Sequence, residues 1–257
     1  MAVELYHFWS SVCSVRARMA LEEKQVAWES RYIDLFQFQQ MTPEYLAINP
    51  DGVVPTLVHD GEPVRESSII IEYVDEAFDG PPLAPDSAIG RARMREFMRF
   101  TDDRFPAIVF PTYVKYILPK LKNRWGEEEL RKQADRRPID FYKDVHGRGV
   151  RGEISPEEIE RCDKSIEEIL DRMETMIADS GGPWLMGDRL SLADIMVAPY
   201  FFRLLALGRQ ERWAEGVRPR VHAWYAALNE RPAFRTAVEW PDETGGGYEE
   251  VGLTTAR

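Results

Sequence analysis

Strand-like sequence is confined to the first third of this chain, and its order there restricts the possible folds. Residues 3–9 predict a short apolar strand, residues 14–25 have the spacing of a helix, and residues 26–35 return to strand-like alternation. A β-α-β unit of this kind implies a parallel strand pair with a right-handed crossover. A short helix over 38–48, a hairpin around Gly61 and a helix of sequence SSIIIEYVDEAF complete the order β-α-β-α-β-β-α.

Beyond the proline-rich stretch 79–87 the sequence predicts helices and no strands. Ser155 and Glu158 form the capping box that predicts the clearest of these helices. A second capping box, Ser191 with Asp194, precedes an almost wholly apolar segment. A helix that is apolar on every face belongs in the centre of a core, so the carboxylate of Asp194 is expected to be structural.

The predicted fold class is therefore an α/β half followed by an all-α half, with domains at residues 1–80 and 87–257. The charged segment 122–156 supports no assignment to helix or loop. Cys162 is expected to be core or half-buried on its helix. The tail that starts at Pro241 contains three consecutive glycines and is expected to lie loosely on the surface.

Composition excludes several classes of partner. The formal net charge of -11 argues against nucleic acid or an anionic membrane, because both require a basic face. No apolar run approaches the roughly 18 residues of a membrane span, and the start lacks the basic region of a signal peptide. Cys13 and Cys162 are too far apart to form a disulfide framework, which favours a reducing cytoplasm. The four histidines are scattered, so no metal site is expected.

The segment SSVCS, residues 10–14, stands where the first strand meets the first helix. In an open α/β sheet a small ligand binds at this edge. The free N–H groups and partial positive charge of the helix N-terminus would stabilise a thiolate or alkoxide there. Ser11 and Cys13 are therefore the candidate catalytic residues.

Two further short motifs fit the binding of a peptide-like ligand. A cis peptide bond before Pro55 would leave the Val54 backbone free to pair with an extended ligand. Glu66 and Ser67 begin the third helix, where the N–H groups would hold the carboxylate of an amino-acid head group and Glu66 its ammonium.

In this order the motifs resemble the glutathione transferases. VVPTLV and ESSIIIEYVDE carry a thioredoxin-like half, and GDRLSLADIMVAP and RPAF carry the helical half. Three segments look most like the zeta class, the maleylacetoacetate isomerases: LYHFWSSVCSVRARMAL, QQMTPEYLAINP and MGDRLSLADIMVAP. Val12 departs from that class, which has a second serine there. The longer helical half is similar to bacterial β-aryl-ether-cleaving transferases, and SVCS is similar to reductive dehalogenases that use a cysteine at the position of Cys13.

The resemblance implies a thioredoxin-like glutathione-binding domain, a helical bundle and glutathione as co-substrate. Five residues fall on or beside glutathione-binding positions of the zeta class: Gln40, Val54, Pro55, Glu66 and Ser67. A further implication is a homodimer, in which Asp102 or Asp103 reaches the glutathione amine of the partner. Phe97, Met98 and Phe100, on one helix, give mild support to that interface.

The expected reaction is attack of the glutathione thiolate on a small apolar, aromatic electrophile such as an aryl ether or halide. The acceptor wall is expected from Trp9, Ser10, Tyr113 and Tyr116, with Arg104, Lys115 and Arg124 available to an acidic acceptor. Two alternatives stay open. One is a cis-trans isomerase of the maleylacetoacetate type, which regenerates glutathione, and the other is a non-catalytic glutathione-binding or partner-binding protein.

Overall fold

The computed structural model describes residues 2–241, and the predicted surface tail lies outside them after Pro241. Four strands form one mixed sheet in the order β2-β1-β3-β4. Its strands are β1 (Val3–His7), β2 (Glu29–Tyr32), β3 (Thr56–His59) and β4 (Glu62–Val64). β1 pairs parallel with β2 and antiparallel with β3, and β3 and β4 form the hairpin around Gly61. The predicted element order along the chain, β-α-β-α-β-β-α, and the parallel first pair are confirmed.

Eleven α-helices are present in the described residues. They are α1 (Val12–Glu23), α2 (Pro43–Ile48), α3 (Ser67–Ala77), α4 (Ala88–Asp102), α5 (Pro106–Thr112), α6 (Leu118–Asp135), α7 (Asp140–Arg151), α8 (Pro156–Ser180), α9 (Leu192–Ala206), α10 (Pro219–Asn229) and α11 (Pro232–Val238). A π-helical turn, Tyr113–Ile117, joins α5 to α6. None of these helices is both long and apolar enough to cross a membrane.

The predicted caps form. Both bonds of the Ser155–Glu158 capping box are present at the start of α8. At the start of α9, Asp194 is fully buried and accepts hydrogen bonds from the Ser191 amide at 2.8 Å and the Trp224 indole at 2.8 Å. Such a carboxylate satisfies backbone and indole donors inside the core, so its role is structural, as expected. Cys162 is buried on α8, also as expected.

α9 is the central helix, and α1 packs directly against it. Two fully buried arginines of α1 tie the sheet half to the helical half. Arg16 donates from Nε to the Met196 carbonyl at 2.8 Å, and Arg18 donates from Nη2 to the Ala237 carbonyl at 2.7 Å. Because a buried guanidinium is costly to leave unpaired, these bonds hold the start of α1 firmly against α9 and α11.

The segment left unassigned by the sequence is a helical hairpin. α6 kinks at Gly126, which has φ 73° and ψ 163°, and α6 and α7 then pack against each other. The Trp125 indole donates to the Phe36 carbonyl at 2.8 Å, which anchors the hairpin to the loop after β2. A second hydrophobic cluster, separate from the main core, fills the space between them with Phe38, Met41, Tyr113, Leu121, Leu130, Val145 and Val150.

Candidate active site

A cavity of about 170 Å³ opens between the start of α1 and the helices α5–α7. One side of the cavity is lined by Ser10, Ser11, Cys13, Gln40 and Val54. The other side is mostly apolar and aromatic, and includes Phe36, Phe105, Ile108, Val109, Tyr113, Tyr116, Ile117, Leu121, Tyr142 and His146. The structure therefore brings the predicted nucleophile-stabilising residues and an apolar wall to one space.

Ser11 caps α1. Its backbone is extended, with φ -69° and ψ 121°, and its Oγ accepts the Ser14 amide at 3.2 Å. A serine hydroxyl has one proton to donate as well as lone pairs to accept. The cap bond uses a lone pair, so the Ser11 proton is available to a group in the cavity.

Cys13 also lines the cavity, one helical position into α1. Burial raises the pKa of its thiol, while Arg16 and a hydrogen bond from Ser67 act in the opposite direction. Since the net direction is upward, Cys13 is a neutral thiol at pH 7 and a weak nucleophile. The predicted stabilisation of a thiolate by the helix field does not outweigh desolvation at this residue.

A buried polar network lies behind Cys13. Arg16 donates from Nη1 to the Ser67 Oγ at 3.1 Å and to the Asp102 carboxylate at 3.0 Å. Glu66 stands just before Ser67, with φ 65°, and burial raises the pKa of its carboxyl. Ammonium and carboxylate of an amino-acid head group would both find partners here, as the sequence predicts for Glu66 and Ser67.

The Val54–Pro55 peptide bond is cis, as predicted. The carbonyl before it, of Val53, accepts hydrogen bonds from the Tyr45 hydroxyl at 2.6 Å and the Asn49 amide at 3.0 Å. Those bonds hold the turn in place. Among the described residues, no backbone partner takes the amide or carbonyl of Val54, so both groups stay available to an extended peptide.

Gln40 lies in the short turn Gln39–Met41 and is only 1% exposed. Its side chain lines the cavity, and within residues 2–241 neither Oε1 nor Nε2 has a hydrogen-bond partner. A buried amide is normally satisfied, so both polar atoms of this side chain are available to a group in the cavity.

Two family models match this chain. The N-terminal domain of glutathione S-transferases matches residues 5–82, and the C-terminal domain matches residues 156–227. Together the matches span more than half of the sequence.

The chain belongs to the glutathione S-transferase family.

Curated relatives match the transferase over almost its whole length. Tetrachloro-P-hydroquinone reductive dehalogenase of Sphingobium chlorophenolicum is 27% identical over 95% of this chain and 98% of its own. Protein LigF of Sphingobium sp. (strain NBRC 103272 / SYK-6) is 29% identical over 93% and 94%. The crystal structure of the beta-etherase LigF superposes with a TM-score of 0.82 at 25% identity, covering 94% of this chain and 100% of the other. Maleylacetoacetate isomerase of Pseudomonas aeruginosa is 28% identical over 91% and 95%.

The acceptor wall of the transferase differs from the predicted one at Trp9. That indole is 1% exposed, packs on Phe8 in the core and does not line the cavity, whereas Phe8 does. The structure therefore corrects the prediction for Trp9. Tyr113 and Tyr116 do line the cavity, as does Ser10, whose carbonyl accepts a hydrogen bond from Arg203. The Tyr116 hydroxyl donates to the Ala206 carbonyl.

The cations proposed for an acidic acceptor are not at the cavity. Arg104 pairs with Glu168 at 2.6 Å, Lys115 donates to the Leu207 carbonyl at 3.3 Å, and Arg124 stands beside Trp125. Two other arginines, Arg137 and Arg203, line the cavity instead.

Sequence reasoning missed Arg137, Arg203, Tyr142 and His146. The first, third and fourth belong to the segment that had no assignment, and Arg203 lies on the apolar helix α9. No motif marks them, because each reaches the cavity only through the packing of distant helices. Burial lowers the pKa of His146 and raises that of Tyr142, so both are neutral at pH 7.

The apolar residues of α4 that support a dimer lie largely in this chain's own core. Phe97 is fully buried and Met98 is 3% exposed. Phe100 is half-buried under the guanidinium groups of Arg104 and Arg172. The mild support that these residues gave to a subunit interface is therefore reduced, and the homodimer stays a prediction.

Proposed function

We propose that the transferase joins glutathione to a small aromatic electrophile with an ether or halide leaving group. The observation that carries the proposal is the cavity itself. The cavity has a volume of about 170 Å³. Ser11 and the unpaired backbone of Val54 lie on one side of it, and a wall of aromatic and aliphatic side chains lies on the other. Such a wall desolvates an aryl ring and holds it beside the glutathione sulfur.

Ser11 is the proposed group that stabilises the glutathione thiolate. Its hydroxyl accepts the Ser14 amide and keeps its proton for the sulfur. A hydrogen bond to a charged acceptor contributes about 1.5–3 kcal/mol, which lowers the thiol pKa by about one to two units. Cys13, whose own pKa is raised by burial, is proposed to pack beside this site as a neutral thiol.

Chain residues position both reactants. Val54 pairs with the cysteinyl backbone, and Glu66 and Ser67 hold the γ-glutamyl head group, while α5–α7 hold the ring. Glutathione supplies the sulfur nucleophile: a C–S bond forms, the bond from carbon to oxygen or halide breaks, and the leaving group departs with the electron pair. Water is excluded from the reacting atoms by the apolar wall.

A second candidate is glutathione-dependent cis-trans isomerisation. It is favoured by the similarity over 91% of the chain to a maleylacetoacetate isomerase. Addition of the thiolate to a cis double bond, rotation and elimination would use the same Ser11 and return glutathione unchanged.

The test is a screen of aryl ethers, aryl halides and maleylacetone with glutathione, in which both the conjugate and the free glutathione are measured. Conjugate formation with an equal loss of glutathione supports the transferase reaction. Isomerised maleylacetone with no loss of glutathione supports the isomerase instead.

The subunit arrangement and location are part of the same proposal. We infer a homodimer in which Asp102, 35% exposed beside Arg16, contacts the glutathione amine of the partner subunit. Light scattering at micromolar protein is expected to give twice the chain mass, and a monomeric mass would contradict it. Cys13 and Cys162 are both free thiols, which supports the reducing cytoplasm.

A further inference from the structure

Tyr142 differs from the other tyrosines of the cavity wall because its hydroxyl is free. The Tyr113 hydroxyl donates to the His146 carbonyl at 3.5 Å, and the Tyr116 hydroxyl donates to the Ala206 carbonyl. In the part of the chain that the structure describes, the Tyr142 hydroxyl has no hydrogen-bond partner, although the side chain lines the cavity. A phenol hydroxyl in this position can donate to a ligand in the cavity.

The ring of Tyr142 is held on α7 by its aromatic neighbours. Phe141 meets it edge-on, with ring centroids 5.2 Å apart, and the His146 ring lies 5.9 Å away. His146 in turn stacks on the Tyr113 ring at 4.6 Å. Packing on two sides fixes the direction of the ring, so the hydroxyl is in place before a substrate binds.

The charged groups that act on the Tyr142 hydroxyl include residues of the opposite wall. Burial raises its pKa most, and Cys13 and Glu66 raise the pKa further. At pH 7 the phenol is therefore protonated and is a hydrogen-bond donor. Because an electrostatic influence falls off with distance, this donor lies near the end of the cavity that carries Ser11 and Cys13.

Arg137 makes the surroundings of this hydroxyl favourable for negative charge. It lines the cavity, and it lowers the pKa of Tyr142. Burial lowers the pKa of Arg137 itself to about 10, so the guanidinium is a cation at pH 7. An O–H donor near a cation stabilises an oxygen atom that becomes negative in the transition state.

The leaving group is the part of the electrophile that becomes negative. The proposed function leaves two kinds of leaving group open, an aryl oxide and a halide. An aryl oxide carries its charge on a small oxygen atom, which accepts a short and strong O–H···O⁻ hydrogen bond. A halide ion is larger and is a weaker acceptor. A free phenol hydroxyl in an otherwise apolar wall therefore fits the ether better than the halide.

We propose that Tyr142 is a catalytic residue that donates a hydrogen bond to the departing oxygen of an aryl ether. The inference rests on the proposed function, because it needs conjugation in this cavity. The glutathione sulfur forms the C–S bond, the C–O bond breaks, and the oxygen leaves with the electron pair while Tyr142 keeps its proton. After release the aryl oxide takes one proton from water, which balances the proton that the glutathione thiol lost to water. The residue belongs to α7, outside the two regions that the family models match.

The first test varies the leaving group on one carbon skeleton. The electrophiles are α-chloroacetophenone and α-aryloxyacetophenones that carry a p-nitrophenoxy, phenoxy or p-methoxyphenoxy group, and all give the same glutathione conjugate. Tyr142→Phe is expected to lower kcat/KM about tenfold for the p-methoxyphenoxy ether, as for the loss of one hydrogen bond to a charged acceptor. The loss should be smaller for the less basic p-nitrophenoxy group and less than about twofold for chloride. The dependence of log kcat/KM on the pKa of the leaving phenol therefore becomes steeper, which a merely structural effect would not cause.

Tyr116→Phe is the matched control, because it removes a hydroxyl of the same wall that already donates to a backbone carbonyl. The ratio of the ether rates to the chloride rate is expected to equal that of the wild-type protein, whatever happens to each rate. Thermal unfolding of both variants shows whether either substitution impairs folding.

The second test measures binding and needs no turnover. p-Nitrophenolate, at a pH above its own pKa, stands for the departing aryl oxide, and its absorbance reports binding to the glutathione-saturated protein. Tyr142→Phe is expected to bind it about tenfold more weakly than the wild-type protein. Neutral p-nitroanisole has the same ring without the charge, and its affinity should differ less than about twofold between the two proteins.

An equal loss of rate for ethers and chloride in Tyr142→Phe would overturn the proposal, and so would an undiminished affinity for p-nitrophenolate. Either result, obtained with conjugation intact in the wild-type protein, removes only the role of Tyr142. Absence of conjugate from every electrophile in the wild-type protein would instead refute the proposed function, and the catalytic role of Tyr142 with it.

Discussion

The two walls of the cavity are built in different ways. The proposed glutathione wall comes from short segments within the first 67 residues. The helix cap at Ser11 and the Val54 backbone line the cavity, and the α3 N-terminus lies behind Cys13. The proposed electrophile wall comes from α5–α7 and consists of side chains such as Tyr113 and Tyr142.

This difference bears on the kind of ligand that each wall suits. A backbone-built wall depends on turns and caps that short motifs specify, so it suits one constant ligand. A wall of side chains changes with each substitution. Relatives 27–29% identical to this chain carry different names: a reductive dehalogenase, protein LigF and a maleylacetoacetate isomerase. The predictions below test whether the two walls are as independent as their construction suggests.

The largest effect is expected at Ser11. Ser11→Ala removes the hydroxyl that is proposed to donate to the thiolate, so it should raise the pKa of bound glutathione and slow conjugation at pH 7 by roughly ten- to a hundredfold. The thiolate absorbance near 240 nm, followed against pH, measures the pKa.

Cys13→Ala is the matched control for Ser11→Ala and should cost much less. In the opposite result, Cys13→Ala abolishes turnover and Ser11→Ala keeps it. That result would make the Cys13 thiol the catalytic group and favour reductive chemistry. Because Ser11 also caps α1, the unfolding free energy of Ser11→Ala should fall by about 1 kcal/mol. A larger loss of unfolding free energy would show that the substitution disrupts the structure around the start of α1, and not only the proposed hydrogen bond to the thiolate.

The next effect is a loss of folding stability at acid pH, and it concerns His7 at the end of β1, next to the segment that carries Ser11. Burial and the nearby Arg18 lower the pKa of His7 to about 3. Between pH 6.5 and 3 the unfolded chain therefore binds a proton that the folded chain does not, so stability falls as the pH falls. At pH 5 this histidine alone should cost about 2 kcal/mol relative to pH 7.5.

Urea unfolding at pH 7.5 and pH 5 measures that cost. His7→Asn should flatten the pH dependence, and substitution of the exposed His222 by Asn is the matched control variant. An equal pH dependence in His7→Asn and the wild-type protein would contradict the assignment. His146, whose pKa is also lowered by burial, allows the same measurement in the electrophile wall.

A smaller effect should be confined to the electrophile wall. A Cβ on Gly149 would lie 2.4 Å from the Tyr113 ring, so Gly149→Ala must displace that ring. We expect the KM for the electrophile to rise about fivefold, as for the loss of roughly 1 kcal/mol of packing, while the glutathione affinity changes little.

Gly147→Ala is the control for Gly149→Ala on the same helix, because its Cβ would meet only the flexible end of Arg151 at 3.2 Å. It should leave both constants near their wild-type values. If Gly149→Ala weakened glutathione binding as strongly as electrophile binding, the two walls would not be independent.

The smallest effect concerns the two thiols. Burial raises the pKa of Cys13, and it raises the pKa of Cys162 to about 11. In a Cys162→Ser protein, alkylation of Cys13 by iodoacetamide should be slow at pH 7 and accelerate as the pH rises, with glutathione giving about a twofold protection. Fast alkylation at pH 7, followed by mass spectrometry, would show that Cys13 is a thiolate and would strengthen the reductive alternative.

The sequence by itself determined the element order along the chain, the caps and the cis turn, because each depends on residues close together in the chain. The caps at Ser155 and Ser191 and the cis bond before Pro55 follow from local backbone chemistry that a few residues specify. The same locality made the resemblance to glutathione transferases recognisable, and with it the prediction that Ser11, Val54 and Ser67 belong to one site.

Only the tertiary structure decided which side chains face the electrophile. Trp9 is buried in the core although it adjoins the SSVCS segment. Arg137 lines the cavity although it belongs to a segment with no recognisable pattern. The raised pKa of Cys13 likewise depends on what buries it, and not on its place in the helix. Burial and contact across 50 to 190 residues of sequence are set by how helices pack, and neither composition nor periodicity of a single segment records that packing.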